Sequence, residues 1–156
     1  MRVGIVNDLQ VATEVLRRIV QAHPLHEVCW TAASGDEAIR RCRQTLPDVV
    51  LMDLIMPGMN GAETTRRIMQ ETPCPILVVT STIPKNFAIA CEALGYGAFG
   101  AVQTPVLGTQ SPLVAGAELL KKLDQVERVQ RRISGRDSWS SSCFLSPKAA
   151  DPRATI

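Results

Sequence analysis

Two carboxylates, an amide and a hydroxyl stand directly after three short apolar runs. Asn7-Asp8 follows Val3-Gly4-Ile5-Val6, Asp53 follows Val49-Val50-Leu51-Met52, and Thr80-Ser81-Thr82 follows Ile76-Leu77-Val78-Val79. If those runs are strands of one parallel sheet, their ends meet at one edge and Asp8 and Asp53 share a small site. Two carboxylates brought together repel each other, and a hard divalent cation relieves the repulsion. Mg²⁺ suits such a place, because it takes few protein oxygens and keeps water and phosphate oxygens in its shell. The same cation can draw in an anionic phosphoryl donor and screen charge during transfer. A carboxylate is itself a competent nucleophile, and its product would be an aspartyl-phosphate. Each residue also has a plainer reading: Asp8 as the cap of a following helix, Asp53 as a turn cap, Thr80 as an ordinary strand-end hydroxyl. Three such residues at the ends of three strands in the right order make coincidence the weaker account.

The elements that must position them follow from periodicity. Val3–Val6 reads as a strand. Val11, Val15, Leu16, Ile19 and Val20 then recur at helical spacing over 9–22, with Arg17 and Arg18 facing water. A second strand over 26–32 leads to a helix over 36–45, with Ala38, Ile39 and Cys42 inward. The runs 49–52 and 76–79 are apolar at consecutive positions, as strands buried on both faces are. Helices over 61–71 and 86–94, the latter stopping at Gly95, flank the second of these, and a short strand covers 99–102. A last helix spans 111–130, with Leu113, Val114, Leu119, Leu120 and Leu123 as its apolar face. Alternating β and α units predict an α/β fold, a doubly wound parallel sheet with helices on both faces. Ligands in such folds sit at the carboxyl ends of strands, where the polar residues stand.

Composition narrows the class. The length of 156 residues suits one ordinary domain. A net charge of +2, with three Phe, one Tyr and two Trp, gives neither a basic surface nor a base-stacking platform, so nucleic acid is not an expected partner. The Arg residues at 128, 131, 132 and 136 read as a solvated helix face or linker. No apolar run approaches the ~20 residues of a membrane span, and the chain enters a strand directly from Met1, so no membrane insertion and a cytoplasmic location are expected. Five cysteines, at 29, 42, 74, 91 and 143, lack Cys-x-x-Cys spacing and read as buried thiols. His23 and His26 flank the turn into the second strand and read as surface residues.

The segment Asp53-Leu54-Ile55-Met56-Pro57-Gly58-Met59-Asn60-Gly61 resembles the phosphorylation loop of response-regulator receiver domains, D-x-x-M-P-x-M-x-G, at every defined position. Pro57 and Gly61 suit a tight turn. The resemblance covers residues 1 to about 125 and implies a flavodoxin-like five-stranded sheet of order 2-1-3-4-5. It implies Asp53 as phosphoacceptor, and Asp8, Asp53 and the backbone carbonyl of Ile55 as Mg²⁺ ligands. Asn7 stands where most members carry a second acid and would act through a metal-bound water. Thr80 would be the switch hydroxyl that turns toward the phosphoryl group.

Two positions depart from that pattern. Thr104, before Pro105, replaces the usual Lys that pairs with a phosphoryl oxygen, and Ala101 replaces the usual aromatic switch residue. The bond before Pro105 is commonly cis in the family. Gly4-Ile5-Val6-Asn7-Asp8, Gly95-Tyr96-Gly97-Ala98 and Thr104-Pro105-Val106-Leu107-Gly108, taken with the loop, resemble the regulatory domain of chemotaxis-type protein-glutamate methylesterases, in a branch with these Asn-Asp and Thr-Pro pairs. That resemblance implies a chemosensory histidine kinase as phosphoryl donor. The partner restrained would be a methylesterase catalytic domain, acting through it on chemoreceptors. A surface built from the fourth helix, fifth strand and last helix is expected to meet partners, with Ile89, Leu94, Phe99 and Leu119 as contributors or core.

No esterase centre is evident: both histidines fall inside the receiver, and Ser140-Ser141-Ser142 lacks a Gly-rich turn. Residues 126–156 are expected to be linker or disordered tail. The alternative to a phosphorylated switch is a receiver-fold docking module that needs no phosphate, as Asn7, Ala101 and Thr104 would permit. A hydrolase with an Asp nucleophile would want a second Asp where Ile55 stands.

Overall fold

A computed structural model describes residues 1–134, with side chains through 132. Of the expected linker or disordered tail, residues 135–156, with Arg136, the Ser140–Ser142 run and Cys143, lie outside the described residues. The chain alternates β1 (Arg2–Val6), α1 (Gln10–Ala22), β2 (Glu27–Ala32), α2 (Gly35–Gln44), β3 (Val49–Met52), α3 (Gly61–Glu71), β4 (Ile76–Thr80), α4 (Phe87–Gly95) and β5 (Gly100–Gln103). Two further helices follow, α5 (Pro112–Ala115) and α6 (Ala117–Ser134). The sheet is parallel throughout, in the order β2-β1-β3-β4-β5. This is the doubly wound arrangement expected from the sequence.

The pleat sends alternate residues to opposite faces. Val3, Ile5, Val49, Leu51, Leu77 and Val79 meet α1 and α6 through Leu16, Ile19, Leu119, Leu123 and Val126. On the other face Val6, Val50, Met52 and Ile76 meet Ala38, Ile39, Ile68 and Met69. Each fully buried Leu, Ile or Val contributes about 1.5–3 kcal/mol relative to exposure. Local chemistry agrees with the packing at helix starts. Ser34 Oγ accepts from Glu37 N at 3.2 Å, Glu37 reaches back to Ala33 N at 3.0 Å, and Asn60 caps Glu63 N at 2.9 Å.

The last helix is broken rather than continuous. Gly116 separates α5 from α6, and a Cβ there would lie 2.3 Å from Cγ2 of Ile19. Because α5 is one short turn over the surface, Leu113 and Val114 are exposed rather than inward. Val11 is likewise 78% exposed, since the first turn of α1 overhangs the sheet edge. Helix α6 continues past residue 125, and Val126 is fully buried in the core.

Two further expectations are corrected. His26 is buried, with its Nδ1 at 3.3 Å from the N-terminal amine and its ring stacked on His23 at 4.1 Å. Cys42 and Cys74 are buried thiols, but Cys91 is exposed and Cys29 half-buried. All peptide bonds of the described residues are trans, the one before Pro105 included.

Candidate phosphoacceptor site

Asp53 follows β3 at the carboxyl edge of the sheet. Its N–H donates to Val6 O at 3.0 Å, which fixes β3 beside β1 and brings Asp53 next to the Asn7-Asp8 pair. The carboxylate is half-buried and accepts from Leu54 N at 2.9 Å. Its pKa is pushed up to about 6, first by burial and then by the charge of Asp8, against the backbone N–H groups of Leu54 and Ile55. Asp8 is near enough for its charge to reach the Asp53 carboxylate. Asp8 is also half-buried.

Asn7 is buried, and its Oδ1 accepts from Leu9 N at 2.8 Å. The amide therefore closes the turn into α1, whose cap residue Leu9 brings no side-chain bond of its own. This turn-closing task belongs to Asn7, not to Asp8 as the plainer sequence reading had it.

The loop after Asp53 is shaped from its interior. Leu54 is fully buried and Met56 nearly so, while Ile55 between them is 52% exposed. Gly58 has φ of +77°, in the left-handed region that favours glycine. Gly61 N donates to Leu54 O at 2.8 Å, and Gly61 starts α3 in contact with the Asp53 backbone. Sequence reading named Pro57 and Gly61 but not Gly58, the residue that actually turns the chain.

Thr80 ends β4, fully buried, and its carbonyl accepts from Thr104 N at 2.8 Å. Thr104 is thus held at the same edge, half-buried. The Thr80 hydroxyl accepts a bond from Asn86 Nδ2 at 2.8 Å. Sequence reading missed Asn86. Its only signal is an Asn just ahead of α4, and its side chain makes no cap bond there.

The donor set is hard: two carboxylate groups, an amide oxygen and loop carbonyls. Among the described residues there is no cluster of three or more His, Cys, Asp or Glu side chains that could hold a metal. A cation here would complete its shell with carbonyl, water and phosphoryl oxygens, as Mg²⁺ does. A polar cleft of about 340 Å³ opens beside Asp8 between α1 and α2, with Glu14 and Glu37 paired to Arg17 and Arg41.

Residues 3–116 match the response regulator receiver domain. The chain belongs to that family. Over all 156 residues it is 47% identical to a protein-glutamate methylesterase/protein-glutamine glutaminase of Pseudomonas aeruginosa, of which it covers 46%. This receiver therefore spans about half the length of that relative. The solved response regulator domain of Thermotoga maritima CheB superposes with a TM-score of 0.71 at 34% identity, covering 81% of this chain and 95% of that one. A solved complex of the CheA3 P1 domain with CheY6 from R. sphaeroides gives 0.68 at 26% identity, covering 81% of this chain and 96% of that one. This chain is a receiver of the kind found in chemotaxis-type methylesterases. No helix among the described residues of the receiver is long and apolar enough to cross a membrane.

Proposed function

We propose that this receiver is a phosphoacceptor switch that takes a phosphoryl group on Asp53 and governs a protein-glutamate methylesterase. The observation that carries the reading is the half-buried Asp53 carboxylate with its pKa raised by burial and by Asp8. Raised charge repulsion of this kind is what a divalent cation relieves, and perturbed carboxylates cluster at working sites. Receiver domains generally bind Mg²⁺ at the phosphorylation site, and Asp8, Asp53 and the Ile55 carbonyl would hold it here, with Asn7 behind a bound water. When bound, the cation would screen charge between carboxylate and phosphoryl donor.

The protein's own groups supply the rest. An Asp53 carboxylate oxygen attacks phosphorus, and the bond to the donor breaks with its electron pair going to the leaving atom, an imidazole nitrogen of a phosphohistidine or the bridging oxygen of acetyl phosphate. The backbone N–H of Leu54 holds the other face of the carboxylate. Thr80 then turns its hydroxyl to a phosphoryl oxygen. Thr104 offers a neutral side chain where the family usually has an ammonium group, so capture rests more heavily on the cation.

A chemosensory histidine kinase would be the donor, in keeping with the receiver–P1 complex among its structural relatives. The output would be a methylesterase catalytic domain acting on chemoreceptors, in keeping with the relatives' function, and the setting would be cytoplasmic. Intact-mass spectrometry after incubation with acetyl phosphate and Mg²⁺ tests the reading. A phosphoryl adduct on the wild type that is missing from Asp53→Asn supports it. Folded wild-type protein that forms no adduct at saturating Mg²⁺ sinks it.

A further inference from the structure

We infer that Asn86 is a positioning residue, a latch that holds the Thr80 hydroxyl in the resting receiver and ties its release to α4. The inference rests on the phosphoacceptor reading above and adds the residue through which the switch would be restrained.

The Thr80–Asn86 bond is a side-chain pair in a dry place. Thr80 is 1% and Asn86 9% exposed, and the Nδ2···Oγ1 distance is 2.8 Å. A threonine hydroxyl has one hydrogen to donate and two lone pairs. Here a lone pair is engaged by the Asn86 amide, just ahead of α4. The carboxylate of Asp53 takes its bond from Leu54 N. The latch requires that Thr80 give up this bond as it turns to serve a phosphoryl oxygen on Asp53.

Asn86 is placed to transmit that swing. Its N–H donates to Thr82 O at 3.1 Å, and its carbonyl accepts from Ala90 N at 2.9 Å, so it joins the loop to the first turn of α4. Helix α4 buries small side chains, Ala90 and Ala93, while Phe87 is 63% and Leu94 42% exposed. Once Thr80 leaves, the Asn86 amide loses its acceptor in a buried place. An unpaired buried amide is costly, and movement of the first turn of α4 toward water relieves it. This route to α4 needs no aromatic ring, which fits Ala101 in β5.

A contact made only in the resting state biases the equilibrium against the active one by its own net strength. Removing it raises the apparent affinity of any ligand that selects the active state. The test measures beryllofluoride binding with Mg²⁺, by calorimetry on the 156-residue chain. The variants are Asn86→Ala, Thr80→Ala and the double variant. Asn86→Ser, which removes the amide that bonds Thr80 and leaves a residue type favoured ahead of a helix, stands in if the alanine variant does not fold. Acetyl phosphate labelling runs in parallel.

The expected result is that Asn86→Ala binds beryllofluoride about two- to tenfold tighter than wild type, the range of one neutral hydrogen bond. That gain disappears when Thr80→Ala is the background. A merely structural role for Asn86 would weaken binding in both backgrounds. Unchanged or weaker binding by Asn86→Ala, or an equal gain without Thr80, overturns the latch while leaving the phosphoacceptor reading intact. Wild type and Asn86→Ala both failing to bind beryllofluoride and to form an adduct would overturn that reading, and the latch with it.

Discussion

A Cβ on Gly61 would stand 2.0 Å from the carbonyl oxygen of Asp53. The start of α3 is thus pressed against the backbone of the phosphoacceptor candidate, with Gly61 N bonded to Leu54 O. Only a residue without a side chain lets the loop close this way. Gly61→Ala is expected to lower stability by about 1–3 kcal/mol, the usual cost of forcing atoms into a packed place. Urea denaturation would read it, and the rate of Asp53 labelling by acetyl phosphate should fall with it.

Asp53 also makes stability depend on pH. Its carboxyl titrates at about 6 in the fold against an ordinary 3.8. Between those values the native state holds more protons than the unfolded chain, so stability falls as pH rises through that window. Asp53→Asn removes the effect. The variant should melt at a higher temperature than wild type near neutral pH, and the difference should vanish in acid below the ordinary carboxylate range. Equal melting at both ends would show that the carboxylate carries no strain from burial or from Asp8.

The same titration bears on chemistry. Only the ionised carboxylate attacks phosphorus, so labelling should drop as pH falls through about 6. A bound cation favours the ionised form. The midpoint should therefore move to lower pH as Mg²⁺ is raised in wild type, and far less in Asp8→Asn. A midpoint indifferent to Mg²⁺ would argue that the cation does not sit on these two acids.

Thr104 invites a gain-of-function test. Its N–H is fixed to Thr80 O at 2.8 Å, so its side chain starts from the same edge as the site. Thr104→Lys would add an ammonium group for a phosphoryl oxygen. A hydrogen bond to a charged group is worth about 1.5–3 kcal/mol, and labelling by acetyl phosphate is expected to accelerate at least about tenfold. No change in stopped-time mass spectra would mean that the position does not face the phosphoryl group.

Much of this was legible in the chain because burial writes itself into composition. Val49–Met52 and Ile76–Val79 are apolar at every position since helices cover both faces of their strands, and the polar residues that follow mark the sheet edge. The loop from Asp53 to Gly61 was legible for a different reason, its specific spacing. Periodicity failed where an apolar residue sits on an edge. Val11 and the Leu113-Val114 pair fit a helical stripe, yet α1 overhangs at its start and α5 ends at Gly116 after one turn. His26 was misplaced because its burial depends on the N-terminal amine and His23, contacts that no local pattern encodes. Asn86 was invisible for the same reason: its partner Thr80 is across a loop, and a lone Asn ahead of a helix reads as a cap.

The family match ends at residue 116, but α6 begins at Ala117. Leu119, Leu123 and Val126 on that helix close the α1 side of the sheet over Val3, Ile5 and Val79. A fragment cut where the recognisable motif pattern stops would expose a greasy flank and become sticky. Anyone transplanting this switch onto another output should carry the chain through Ser134, since the segment that reads as connector is also one wall of the house.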